Sequence, residues 1–504
     1  MTRYTDYINA ISAENLYDRL VGYGLFTSRI PDFLSGESFL SFSKTLALPL
    51  NPHPKDYIRY SGMRNINVPR PLAIPDAVAY ANLCYFLSQN WDRIQSHFYD
   101  KTKDEKHKIS RIHIRKLHSK PGLFEMNYKN FFMDEEPEQD LVIGSKFVVN
   151  ADISNCFPSI YSHAVAWSLV TKSHAKANRN PTNWFNELDF HIRNLKFGET
   201  NGLLIGPHAS NLISEIVLVT VDKELVDQGF KYVRNIDDYT CYTESYEEAE
   251  RFLLVLSDEL KKYELVLNTK KSSITSLPRA NVKKWVTKLN HFNFTNTYTV
   301  DNGQEGIRVK ELKGFLDFVI ELMLEENSDA SIINYAIQIL SKKHLGINAK
   351  GYYIKQIHHL VLLYPYLINL IDEYVFECHD IDIHSIKKIA IDIYNFGIKA
   401  KVYEACSFSV FWSLKHGFSL GINSMKVDSI QSLDAIFLLL SFRYDNKYNR
   451  KAYLKEYKDQ ARIFKNDDYD QYWLFIYETL PWNELKVPYR EMKREGYTFI
   501  KEGF

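Results

Sequence analysis

The chain has 504 residues, 45% hydrophobic and 25% charged, an ordinary globular composition with length for two or three domains. Lysine plus arginine balances aspartate plus glutamate at 62 each, which excludes a surface coated in basic charge, so any polyanion must meet a local patch. Five cysteines, at 84, 156, 241, 378 and 406, form no CxxC pair, which argues against a zinc site or disulfide framework and fits a reducing cytoplasm.

The N-terminal "MTRYTDYINAISAEN" lacks the basic start and apolar core of an export signal. Residues 1–60 mix helical patterns with proline breaks such as "NPHPKD" and read as an N-terminal extension. From "RPLAIPDAVAYANLCYFLSQNWDRI" the pattern predicts an extended segment feeding a helix, with Tyr80, Leu83, Leu87, Trp91 and Ile94 on one apolar face. Next comes the most basic stretch, "KTKDEKHKISRIHIRKLHSK". Its latter part alternates as a half-buried strand would, placing Arg111, His113 and Arg115 on one face. That face suits either a solvated sheet edge or a finger directed at phosphates.

After the acidic linker "DEEPEQD", the run "LVIGSKFVVNADIS" predicts a buried strand whose last residue, Asp152, is held firmly yet remains reachable. Phe157 opens the turn "FPSIY" ahead of the apolar helix "HAVAWSLV". Gly206 and Pro207 form a loop that starts the long helix of "SNLISEIVLVTVDKEL", with the glycine permitting a close backbone approach. In "YVRNIDDYTCYTES", Asp237 and Asp238 sit at the tip of a hairpin between two β-prone runs. Adjacent anions ~4 Å apart at an effective dielectric near 20 repel by about 4 kcal/mol, so a rigid acidic tip invites a cation, whereas a solvated turn needs none. The helix of "SYEEAERFLLVLSDELKKY", capped by Ser245, leads to the strand-like "ELVLN" and then Lys270 and Lys271.

The order strand-Asp-helix, Gly loop-helix, hairpin-Asp-Asp, helix-strand-Lys resembles the palm of a reverse transcriptase. The likeness rests on "DISNCFPSI", "NGLLIGPHASNLISEI", "NIDDY" and "LVLNTKKS" and spans residues 60–280. Through "DISNCFPSIYSHAVAW", with His163, and the following "KSHAKANRN", the chain most resembles the AbiK-like abortive-infection reverse transcriptases of bacteria. The resemblance implies that Asp152, Asp237 and Asp238 are metal ligands for two Mg²⁺ ions, with Mn²⁺ as a substitute. It also implies that Phe157 is a steric gate against the ribose 2′-hydroxyl and that Lys271 neutralises phosphate charge or donates a proton. Gly206, Pro207, Arg111 and Arg115 complete the expected nucleotide-binding set. Asn235 stands where such boxes begin with an aromatic, and Ile205 where templated enzymes often carry glutamine.

From residue 291 to 504 the chain reads as successive amphipathic helices, a HEAT-like solenoid. The run "HLVLLYPYLINLIDEY", interrupted by Pro365, is too short for the ~20 residues of a membrane span. The expected fold is therefore α+β: fingers over 61–150 and palm over 151–290, followed by an all-α domain. The family likeness further implies a cytoplasmic, template-independent DNA polymerase of antiphage defence. It would use dNTPs, prime on its own tyrosine, carry single-stranded DNA covalently and form a homo-oligomer, a trimer or hexamer. Tyr4, Tyr7, Tyr17 and Tyr23 lie in the N-terminal extension, and Tyr7 is the selected priming candidate. Two alternatives stay open: an RNA-templated reverse transcriptase working with a structured RNA, and an idle palm serving as a phage-sensing scaffold.

Overall fold

A computed structural model describes residues 3–64, 68–116, 124–125, 136–280, 282–300, 303–326 and 329–504. At its centre is a four-stranded antiparallel sheet. We label a preceding hairpin β1 (Tyr57–Gly62) and β2 (Arg70–Pro75), and the sheet strands β3 (Phe147–Asp152), β4 (Lys231–Asn235), β5 (Asp238–Thr243) and β6 (Ser273–Ser276). The sheet order is β4-β5-β3-β6.

Side chains alternate across a sheet, so register decides what each face carries. Val149 pairs with Cys241 and Ala151 with Tyr239, which turns these apolar residues toward the helix Tyr246–Lys262. Asn150, Asp152, Asp238 and Thr240 then share the opposite face. The helix His208–Asp227 is buried along most of its length and packs against the helices Trp91–Thr102, Ser162–Val170 and Tyr246–Lys262. A helix enclosed on most sides has little solvent stripe, so its apolar run from Ile216 to Val221 is interrupted only by Thr220, and its buried acids Glu215 and Asp222 need partners.

Several expectations shift in detail. The helix expected across residues 76–94 breaks at Asn90 into Ala77–Gln89 and Trp91–Thr102. The basic stretch forms regular strand only at Arg115–Lys116, and residues 117–120 at its end lie outside the described residues. Ile112 and Ile114 are buried, but so are Arg111, His113 and Arg115, so no solvated face survives. The reason is that Ser110 bridges Arg234 in parallel and adds this segment to the edge of β4. Beyond residue 290, Thr297–Thr299, Glu305–Ile307 and His344–Leu345 form a small sheet that interrupts the helical pattern. Its Tyr-Thr and Gly-Ile content suits short strands better than a helix.

The C-terminal region is otherwise helical, and its helices pack mainly against near neighbours in sequence, as Ile383–Ala400 does on Tyr403–His416. It does not end as a free array. The final residues return to the N-terminal helices, where Ser35 N–H donates to the Phe499 carbonyl (2.8 Å) and Lys501 N–H to that of Phe33 (2.9 Å). Phe499 is fully buried among Phe26, Phe39, Trp473 and Tyr477. Nor does the N-terminus hang free, since Trp91 Nε1 donates to the Ile11 carbonyl (2.6 Å) and Tyr4 is 2% exposed.

The Phe499→Ala variant should lose about 3–5 kcal/mol of unfolding free energy in a denaturant titration. A loss below about 1 kcal/mol would show that the tail is not a structural seam.

Candidate active site on the open face of the palm

The strand order brings the three aspartates together. Asp152 and Asp238 are directly opposed across β3 and β5, and Asn235 pairs with Asp238, which leaves Ile236 and Asp237 as the hairpin tip. The Ile153 N–H donates to the Asp237 carbonyl (3.2 Å) and ties the tip to the end of β3. Ile236 adopts φ +60°, a left-handed conformation that a β-branched residue resists.

A buried arginine holds that tip. Arg234 lies on the core side of β4, fully enclosed. Its Nε and Nη2 donate to Asp222 Oδ2 (2.8 and 2.6 Å), and Nη1 and Nη2 donate to the two Glu215 oxygens (3.1 Å each). Nη1 also donates to the Ile236 carbonyl at 2.8 Å. Burial works against the Arg234 charge, but Asp222 and Glu215 more than offset it and hold its pKa well above the ordinary value.

Asp152 is gripped from the segment after the helix Tyr246–Lys262. The Asn268 side chain donates to Asp152 Oδ1 (2.8 Å), its backbone N–H to the Asp152 carbonyl (2.7 Å), and Lys271 Nζ to Asp152 Oδ2 (2.8 Å). The bond to Asp152, above all, raises the Lys271 pKa. Burial first, then repulsion from Asp237 and Asp152, lifts the Asp238 carboxyl to about 6; burial also raises Asp237, with Asp152 adding to it.

Such mutually raised carboxylates are what a divalent cation would relieve, and hard oxygen donors suit Mg²⁺ or Mn²⁺. Among the described residues no three His, Cys, Asp or Glu side chains converge on one point as around a bound ion. The charge-balancing group on Asp152 is the Lys271 ammonium.

The remaining expected residues fall in two places. Phe157 is half-buried on the short helix Cys156–Ser159, just after Asn155 in a left-handed conformation. Its carbonyl accepts from Leu203 N–H (2.7 Å), so it is stitched to the loop that carries Gly206 and Pro207. Gly206 has φ +136°, and a Cβ there would lie 2.9 Å from the Ala73 carbonyl oxygen, so the close approach the glycine permits is to β2. Arg111 and Arg115 are 1% and 5% exposed; Arg111 Nε is 3.7 Å from Glu138. The Tyr7 ring is half-buried, with Lys108 Nζ 4.5 Å and the Arg115 guanidinium 5.7 Å from its centre.

Sequence reading missed Asn268, although it lies inside "LVLNTKKS", and missed the Glu215 and Asp222 partners of Arg234. Their one local signal was two acids seven residues apart in an apolar helix, which places them on one face. It also missed Arg29, which precedes the β1–β2 hairpin, and Arg64 and Arg70, which belong to it. Burial lowers the Arg70 pKa, repulsion from Arg29 and Arg64 lowers it further, and Asp237 pulls the other way. Three arginines and the hairpin tip thus share one electrostatic neighbourhood.

With this geometry in place, comparison with known proteins gives a family match over part of the chain. Residues 95–309 match the reverse transcriptase (RNA-dependent DNA polymerase) family. The chain carries a reverse-transcriptase-type nucleotidyltransferase fold, with a mixed α/β N-terminal part and a helical C-terminal region. No curated protein matches it. Among solved structures, apo telomerase from Candida tropicalis is 10% identical over 81% of this chain and 70% of its own, with a TM-score of 0.31. Telomerase from Candida albicans in complex with a TWJ fragment of telomeric RNA is likewise 10% identical, over 81% of this chain and 68% of its own, with a TM-score of 0.30. No helix among the described residues is long and apolar enough to cross a membrane.

The raised Asp238 pKa sets a pH dependence. Below about pH 4 both folded and unfolded chains hold this proton; as pH rises through about 6 the folded protein must ionise a carboxyl that the unfolded chain gave up earlier, and stability falls. Asp238→Asn should therefore stabilise metal-free protein above pH 7 by about 1 kcal/mol after allowance for solvent screening, read as a higher melting temperature, with the gap closing below pH 4. A gap that is constant with pH would contradict the repulsion.

Proposed function

We propose that the chain is an antiphage DNA polymerase of the abortive-infection type, which adds dNTPs without a template to a hydroxyl of its own chain. The observation that carries nucleotidyl transfer is the gathering of Asp152, Asp237 and Asp238 at one end of the palm sheet, with Lys271 on Asp152. Two divalent cations on such carboxylates would activate the attacking hydroxyl and neutralise the departing pyrophosphate. The chain's own residues do the rest.

Asn268 orients Asp152, and Arg234 fixes the tip that presents Asp237. Arg29, Arg64 and Arg70 supply the positive charge facing a triphosphate, a role that the burial of Arg111 and Arg115 makes less suited to those two. Phe157, held against the Gly206–Pro207 loop, closes the sugar side and favours deoxynucleotides. Lys271 moves from Asp152 to the phosphates once cations bind.

Template independence is supported by two departures on the nucleic-acid side, Asn235 for an aromatic and Ile205 for a polar residue. For priming, burial raises the hydroxyl pKa of Tyr4 and Tyr17 and disfavours their phenolates. Tyr7 is half-buried, with its ring beside Lys108 and Arg115. The proposed division keeps the extension at 1–60, fingers at 61–150, palm at 151–290 and the helical domain at 291–504. The proposed setting is the bacterial cytoplasm, as a homo-oligomer.

Purified protein incubated with Mg²⁺ and labelled dNTPs, with neither template nor primer, should carry label through a denaturing gel. Asp152→Ala and Asp237→Ala should each lower incorporation at least about a hundredfold, the scale of removing a group that acts on the transition state. Tyr7→Phe should abolish the protein-attached label. Incorporation that begins only when an RNA template and primer are supplied would overturn the template-free reading; activity that survives Asp152→Ala would overturn the site.

A further inference from the structure

The hairpin of β1 and β2 carries Arg70 and is followed or flanked at each corner by a contact from the far end of the chain. At its start, Asp56 N–H donates to Asp470 Oδ2 (3.2 Å), Lys55 Nζ pairs with Asp470 Oδ1 (3.1 Å) and Gln471 donates to Asp56 (3.1 Å). At its exit, Asp76 caps the helix Ala77–Gln89 through the Val78 and Ala79 amides (3.0 Å each), and the Tyr489 hydroxyl donates to Asp76 Oδ2 (2.8 Å). Between these, just past the end of β1, Met63 N–H donates to Glu404 Oε2.

Glu404 lies on the buried helix Tyr403–His416 and is 2% exposed. Its other oxygen accepts a long bond from Asn369 Nδ2 (3.5 Å). Burial raises its pKa to about 7; the Met63 amide and Asn369 oppose this, Asp434 adds to it, and Arg29 attracts the charge. Burial raises the pKa of the Tyr60 hydroxyl on β1, and the charges of Glu404 and Asp434 add to it. Taking a carboxylate out of water is costly unless its oxygens are bonded, and here they are bonded to the Met63 amide, 341 residues away in sequence, and to Asn369. The residue after Met63 is Arg64, and Arg29 attracts the Glu404 charge; both also repel Arg70, the arginine that acts on Asp237.

We propose that Glu404 is a positioning residue for the triphosphate: by holding the Met63 amide it fixes the Arg64 end of the hairpin, so that Arg29, Arg64 and Arg70 present one anion-binding cluster to the palm. This rests on the nucleotidyl-transfer reading and gives the helical C-terminal region a role in it. The region acts as a clamp on the fingers, with Asp470, Glu404 and Tyr489 as its three points of hold. The Glu404 carboxylate touches no reacting atom; it acts through the hairpin.

Two readouts test this on the full-length protein: fluorescence anisotropy of a labelled deoxynucleoside triphosphate in Ca²⁺, and amide hydrogen exchange over residues 57–62 and 70–75. Glu404→Ala should weaken triphosphate binding roughly tenfold and speed exchange in both strands, the scale of one lost buried bond to a charged acceptor. In turnover the dNTP KM should rise while kcat holds. Glu404→Gln, which keeps an oxygen acceptor for Met63, should restore affinity to within about twofold. If Glu404→Ala does not fold, Asn369→Ala should shift both readouts in the same direction to a smaller degree. Wild-type affinity, or unchanged hairpin exchange, in the variant that folds would overturn the positioning role. If the intact protein itself binds no triphosphate, the nucleotidyl-transfer reading falls with it, an outcome distinct from normal wild-type binding that the variants leave untouched.

Discussion

The contact on which the palm depends is the buried fork of Arg234. Enclosing a guanidinium costs several kcal/mol unless every donor is matched, and here Asp222, Glu215 and the Ile236 carbonyl match it. The bond to Ile236 counts most for the site. It holds a β-branched residue in a left-handed turn, and that turn decides where Asp237 and Asp238 emerge. Because Glu215 and Asp222 belong to the helix His208–Asp227, the hairpin tip is referenced to the most enclosed element of the domain rather than to its own short strands. The same helix begins at the Gly206–Pro207 loop, which is bonded to β2 through Ala73 N–H and the Ile205 carbonyl (2.9 Å). One rigid rod thus sets the carboxylates at one level and the fingers hairpin at another.

On the opposite side of the sheet the balance is different. The three aspartates are only partly compensated: Lys271 and Asn268 serve Asp152, and Arg70 acts on Asp237 from a distance. The core face spends its charge on rigidity, while on the open face burial and mutual repulsion raise the Asp237 and Asp238 carboxyls. A rigid mount under an under-neutralised carboxylate group is the arrangement a cation-dependent site requires, because the ligands need not reorganise when the ion arrives.

Much of this was legible in the sequence wherever the signal was local. A strand that ends on Asp152, a two-residue acidic tip between β-prone runs and a Gly-Pro helix start each follow from a few consecutive residues, and the fold puts all three on neighbouring elements. Failure came where a residue's meaning depends on distant neighbours. The alternation of Arg111, His113 and Arg115 suggested an outward face, yet β4 covers one side and the first helix, through Tyr4 and Tyr7, covers the other. Arg29, Arg64 and Arg70 are unremarkable in sequence and acquire significance only through their mutual repulsion and the pull of Asp237 on Arg70. Glu404 and Phe499 looked like parts of an independent helical array; their partners lie more than 300 residues upstream, at Met63 and at Phe26 and Phe39. No periodicity within a window can report such pairings.

The most direct test of the central claim is an anomalous difference map from crystals grown with Mn²⁺ and a non-hydrolysable deoxynucleoside triphosphate. The expected map has a peak ligated by Asp152 and Asp237, with Lys271 Nζ withdrawn from Asp152 and the Arg234 bond to Ile236 unchanged. Mn²⁺ bound elsewhere, or Lys271 still on Asp152 with triphosphate present, would contradict it.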